Sequence, residues 1–222
     1  MKTRKEIKAL AREAMREQRS TAILLGVVWG LVVLASIILD WIVLLATGSM
    51  GIAYWVVYTA GLFVIYVMSV NMIGEYIKIF KREKAEVGAL FSGLQVNFLR
   101  KLGGILWMML WVVLWSLLLI IPGIIKSLSY FFTWNILADC PNVTATDALK
   151  VSMRITQGHK WKIFVFCLSW IGWMILSGLT LGILYVVYVG PYFYTADGGL
   201  YIEMRDEALA EGRITRTDLG WE

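Results

Sequence analysis

Apolar runs separated by short polar or glycine-containing stretches set the pattern of this chain. The first covers residues 21–46, with Asp40 near its end. A charge-free turn, Thr47-Gly48-Ser49-Met50-Gly51, leads to a second at 52–73. Further runs follow at 102–121, 124–138, 162–176 and 183–202, the fourth being the shortest. A helix needs about 20 apolar residues to cross a hydrocarbon core. The pattern therefore predicts an all-α, polytopic membrane bundle of about six transmembrane helices in three hairpins. Pro122-Gly123 is expected to break the third run and Gly190-Pro191 the sixth, because proline lacks the backbone donor and glycine permits the turn.

Between the runs the period changes. Thr3 with Glu6 forms a capping box. Behind it Ile7, Leu10, Ala11, Ala14 and Met15 share one helical face, opposite Lys5, Lys8, Arg12, Arg16 and Arg19. Residues 1–20 thus read as a basic amphipathic helix suited to the inner membrane surface, apolar side down. Residues 74–101 are charged and helical in pattern, with Val87, Leu90, Phe91, Leu94 and Phe98 on one side. Thr144 with Asp147 opens another amphipathic helix that ends before Gly158-His159-Lys160-Trp161. The membrane domain is expected over 21–204, and a charged tail over 205–222.

Lys and Arg positions orient the bundle, since cytoplasmic loops carry the excess of both. Twenty of the 21 fall in the N-terminal segment, in 74–101, in 139–162 or in the tail, all on one face; Lys126 is the exception. Both termini are expected in the cytoplasm. The first run is longer than a signal-peptide core and has no small-residue cleavage site after it, so it is expected to be retained.

Composition narrows the function. Of 222 residues, 59% are hydrophobic and 17% charged, too apolar for a water-exposed domain. The net charge of +5 lies beside apolar runs, where it suits acidic lipid headgroups, and no basic groove interleaved with aromatics suggests nucleic acid. Cys140 and Cys167 have no metal-ligand spacing and are expected as free thiols. His159 is the sole histidine, and no Walker, G-x-S-x-G or H-E-x-x-H sequence is present. No cofactor and no enzymatic role are expected.

Ionisable residues at membrane depth are costly and often functional. Asp40 and Lys126, both on the sparsely charged side, could pair across the bundle or simply snorkel to the interface. Asp197 follows Gly190-Pro191 by about two turns. It reads as a polar contact in a cavity or a hydrogen bond to a neighbouring helix, with Gly198 and Gly199 allowing close approach. Lys150, Arg154, His159, Lys160, Trp161 and Lys162 are candidate headgroup contacts. Trp41, Trp55, Trp107, Trp161 and Tyr201 fit interfacial aromatic belts. Trp111, Trp115, Trp170 and Trp173 sit deeper, where packing against lipid and helices is the default.

Several motifs together resemble a known family. They are Ile121-Pro122-Gly123-Ile124-Ile125-Lys126, Tyr130, Ile136-Leu137-Ala138-Asp139 with Pro141, Ala148-Leu149, Ser152, and Gly158-His159-Lys160-Trp161 with Phe164. Ser169-Trp170-Ile171-Gly172-Trp173, Leu179-Thr180-Leu181-Gly182, Pro191-Tyr192 and the opening Arg4-Lys5-Glu6-Ile7-Lys8 also fit. The chain resembles the uncharacterised bacterial membrane family catalogued as domain of unknown function 975, common in Gram-positive bacteria. Cys140 departs from its pattern, which carries a polar residue there. The resemblance implies a multi-pass bacterial plasma-membrane protein and no particular activity.

Two functions stand side by side. One is a non-enzymatic membrane component that binds lipid or a protein partner, or assembles with its own copies. The other is a small transporter or exporter of an amphiphilic solute, built on the glycine and proline breaks. The Pro-Gly hairpin, the short fourth run and the helix ending in Gly-His-Lys-Trp suggest a semi-rigid cytoplasmic unit that holds anionic headgroups.

Overall fold

A computed structural model describes residues 2–118 and 120–221, the side chains of Leu118 and Ile120 excepted. Among these the chain is 81% helical, with no strand. The capping box forms: Thr3 Oγ1 accepts from the Glu6 backbone N–H, and the Glu6 carboxylate accepts from the Thr3 N–H. It starts α1 (Arg4–Glu17), and after one residue the chain turns into α2 (Arg19–Thr47). Gly48, at φ +65°, closes α2 in the left-handed conformation that glycine adopts without steric cost. α3 (Ile52–Phe80) returns alongside α2, seven residues beyond the expected end of its apolar run.

Next come α4 (Ala89–Gln95), α5 (Phe98–Leu118) and α6 (Ile120–Ser129). Pro122 does not break α5. It lies in the first turn of α6, where its missing N–H leaves no carbonyl without a partner. Residue 119, between α5 and α6, lies outside the described residues. Gly123 instead permits close packing, since a Cβ there would come within 2.9 Å of the Ser116 backbone.

The fourth apolar run is not one helix. α6 ends at Ser129 and α7 (Thr133–Asp139) begins after a turn. At 1.5 Å per residue, α6 rises only about 15 Å, half of a hydrocarbon core. Its Ile121, Ile124 and Ile125 are exposed, whereas Thr133, Asn135, Ile136 and Leu137 of α7 are buried.

The Thr144 cap forms, its hydroxyl accepting from the Asp147 N–H at 3.2 Å, and starts α8 (Ala145–Ile155). α9 (Lys160–Leu168) and α10 (Ile171–Leu179) then make one apolar stretch. The turn at Thr180-Leu181-Gly182 leads to a π-helical turn, Tyr185–Val189, and α11 (Gly190–Ala210). Gly190-Pro191 therefore does not break the chain, which stays helical from Ile183 to Ala210, but follows a π-helical turn within it. The wide turn before it absorbs the register change at a residue with no N–H to donate. A short 3₁₀ turn at Thr217–Leu219 follows.

Four stretches are long and apolar enough to cross a membrane: Arg19–Thr47, Ile52–Phe80, Phe98–Leu117 and Lys160–Leu179. Burial divides them along their length. α2 buries Ala22, Leu25 and Gly26 yet exposes most large residues from Leu31 to Leu45. α3 buries Val67 to Ile79 yet exposes Ile52 and Trp55. The core thus lies at one end, where α1, α3, α7, α8 and α11 meet. The hairpins leave that core with apolar faces outward, as a lipid solvent requires.

α1 corrects one expectation. Ile7, Ala11, Ala14 and Met15 are buried against α11 and α3, so its apolar face belongs to the protein core and does not lie on lipid. Its rim is tied down by the Lys2–Glu203 and Arg82–Glu17 ion pairs and by the Gln18 amide, which donates to Glu83 O and accepts from Ala85 N. Tyr201 is likewise corrected: it is fully buried and joins no interfacial belt.

Candidate functional site

Asp139 ends α7, and its position beside α3 and α11 makes it a junction. Arg205 NH1 donates to Oδ2 at 2.7 Å, Lys81 Nζ to Oδ1 at 2.8 Å, and Tyr201 OH to Oδ2 at 3.3 Å. The Arg205–Asp139 pair is more than nine-tenths buried on both sides. Cys140 follows, its Sγ 3.8 Å from the Tyr201 hydroxyl, and burial pushes its thiol up to about 11. The free carbonyls at the end of α7 and in the turn after it accept from Arg100: Leu137 O and Val143 O at 2.7 Å, and Cys140 O at 3.1 Å. Sequence reading identified Asp139 and Tyr201 only as motif and belt residues. Nothing in the spacing announces that Arg205 and Lys81 converge on one carboxylate.

Asp197 sits on α11 beside glycines that work as expected. A Cβ on Gly198 would lie 3.3 Å from the Ile77 backbone, and one on Gly199 would enter the Phe80 ring. Asp197 Oδ2 accepts from Asn135 Nδ2 of α7 at 2.9 Å, and Oδ1 is buried without a partner. The residue is thus the helix-to-helix hydrogen bond rather than part of an open cavity.

The structure does not bring Asp40 and Lys126 together. Among the described residues Asp40 has no ion pair, and α2 packs on α3 rather than on α6. Lys126 Nζ lies 4.9 Å from the Trp115 ring centroid and 6.0 Å from that of Tyr130, within reach of a cation–π contact.

The headgroup candidates separate into two groups. Lys150 pairs with Asp147 at 2.8 Å and Arg154 with Asp218 at 3.1 Å. His159 Nε2 is 3.0 Å from Glu207 Oε2. Burial, opposed by Glu207, holds the imidazole below its usual pKa. Lys160 and Trp161 remain outward: Trp161 is 72% exposed and stacks on Phe164. Lys162 lines a separate cleft with Lys2, Arg4 and Val165.

Two cavities meet at Lys126. One, of about 510 Å³, runs along α5 past Trp107, Trp111 and Trp115, with Leu149, Lys150 and Met153 of α8 opposite. The indoles recur every four residues, so one face of α5 carries all three; Trp107 and Trp111 meet edge to face, centroids 5.9 Å apart. The second, of about 520 Å³, is lined by Lys126, Ser129, Met153, Gln157, Gly158, Lys160 and Trp161. Neither lining contains a carboxylate among the described residues. The other polar clefts differ: one holds Asp147 and Asp218, another Glu75, Glu83 and Asp139. No group of three or more His, Cys, Asp or Glu among the described residues could hold a metal ion.

The fold and these outward apolar faces define an α-helical protein compatible with a membrane. Within that class, residues 103–208 match the model of the family described as "Protein of unknown function (DUF975)", the family the sequence resembles. The match takes in Lys126, Asp139, the Gly158–Trp161 turn and Asp197. No curated protein matches the chain, and no solved structure does.

Proposed function

We propose that this chain is a non-enzymatic, multi-pass component of a bacterial plasma membrane that binds acidic lipid headgroups on its cytoplasmic side. In this reading six segments enter the bilayer: the four long apolar helices, together with the shorter, interrupted segments around 124–138 and 183–202. Both termini are cytoplasmic, which the distribution of Lys and Arg supports.

The carboxylate-free cavity holding Lys126 and Lys160 carries the reading. Lys150 and Arg154 have carboxylate partners, whereas Lys126 and Lys160 have no ion pair among the described residues. Cations without an acid partner suit an external anion, and basic pockets between membrane helices hold anionic headgroups. Lys126, expected on the sparsely charged side, instead shares its cavity with Gln157, Gly158 and Lys160 of the segment expected on the cytoplasmic side. The exposed Trp161 beside them is amphipathic and suited to headgroup depth.

Native mass spectrometry of the detergent-solubilised protein tests this. Wild type is expected to retain phosphatidylglycerol over phosphatidylcholine, and the double variant K126Q/K160Q to lose that preference by roughly tenfold. Equal retention of the two lipids by wild type, or an unchanged preference in the double variant, would overturn the reading.

A further inference from the structure

The two cavities have opposite character yet share a wall. Lys126 and Met153 line both, so the indole groove opens onto the lysine cavity at the Trp115 end. Along the groove the surface is chiefly aromatic and aliphatic: Trp107, Trp111 and Trp115 on one side, Leu149 and Met153 on the other. The eight steps from Trp107 to Trp115 advance about 12 Å along α5, which matches a stretch of alkyl chain and exceeds any small headgroup. Both volumes fall within the range of about 300–1,000 Å³ typical of ligand sites.

We propose that the two cavities are one site for an anionic amphiphile, its headgroup on Lys126 and Lys160 and a single alkyl chain laid along the Trp107-Trp111-Trp115 face. This rests on the acidic-lipid reading above and adds what that reading leaves open: the chain is recognised as well as the charge. The geometry at Lys126 supports the join. Its ammonium lies over the Trp115 ring, a contact made through the π face that leaves N–H groups to donate to a headgroup oxygen. Gln157 and the Gly158 turn (φ +79°) complete the polar end. The chain end lies towards Thr146, an exposed residue on the first turn of α8.

The test uses the full chain in detergent, with three probes followed by native mass spectrometry: lysophosphatidic acid, lysophosphatidylcholine of the same chain, and glycerol phosphate. Wild type is expected to bind lysophosphatidic acid at least tenfold tighter than either of the others. K126Q/K160Q should lose that margin over lysophosphatidylcholine. T146W, which fills the chain end without touching either lysine, should reduce lysophosphatidic acid binding about tenfold and leave glycerol phosphate binding unchanged. W111A provides a second variant on the opposite wall with the same expectation. Unchanged lysophosphatidic acid binding in both T146W and W111A, with loss in K126Q/K160Q, would overturn the chain site while leaving the headgroup reading intact. Unchanged binding in K126Q/K160Q would overturn both.

Discussion

At the scale of single residues, the buried charges of the core are organised by Asp139. Removing one partner of a buried pair leaves the other charge uncompensated and costs roughly 3–5 kcal/mol. Asp139→Asn is therefore expected to lower thermal stability, because it removes the buried partner of Arg205, leaving it only the exposed Asp206 carboxylate at 2.8 Å, and weakens the tie to Lys81. A melting curve in detergent checks this; a shift no larger than that of an exposed substitution would remove Asp139 from its junction role. His159 gives a pH dependence whose sign follows from its environment. Its folded pKa is depressed, chiefly by burial, so the unfolded chain takes up the proton first as pH falls below about 6.5. Stability should be flat above that value and decline as pH drops through the folded pKa. Comparing melting at pH 7.5 and 5.5 for wild type and His159→Gln isolates the effect, and the variant should decline less.

At the scale of elements, α1 separates what the sequence shows from what only packing shows. Its capping box and its apolar face are legible, since both depend on neighbours three and four residues apart. What that face packs against is not, because a lipid surface and a protein core call for the same pattern. The structure places Ile7 and Ala11 in the core, so Ile7→Ala is expected to destabilise by roughly 2–4 kcal/mol, where a lipid-facing helix would change little. Denaturation monitored by circular dichroism distinguishes these. The sixth apolar run shows the same limit. Its glycines and proline announced a special backbone, yet only the fold reveals that Gly26 of α2 lets the π-helical turn approach, a Cβ there meeting Val186 O at 2.9 Å. Gly26→Val should therefore destabilise by about 1–3 kcal/mol through overpacking, again read by thermal melting.

At the scale of the whole molecule, the all-α architecture and the long apolar segments were legible because lipid leaves the backbone no option but internal hydrogen bonding. The first hairpin and the helix caps followed from local signals. The fourth run was misjudged because periodicity and hydropathy do not register the turn between Ser129 and Thr133, nor that Asn135 turns inward to Asp197. Among site residues, Lys126 stood out by its isolation among apolar neighbours, but its partner did not. Trp115 lies eleven residues away on the preceding helix, and the hairpin alone brings the two together. Lys150 and Arg154 looked equivalent to Lys160 in sequence; Asp147 and Asp218 make the difference in space.

The central claim is that the Lys126–Lys160 cavity and its indole groove draw acidic lipid to this face. The most direct measurement is tryptophan fluorescence in nanodiscs containing chain-brominated phosphatidylglycerol or chain-brominated phosphatidylcholine at equal fractions. Stronger quenching by the acidic lipid is expected, with the excess absent in K126Q/K160Q and reduced in Trp111→Phe. Equal quenching by the two lipids in wild type would contradict it.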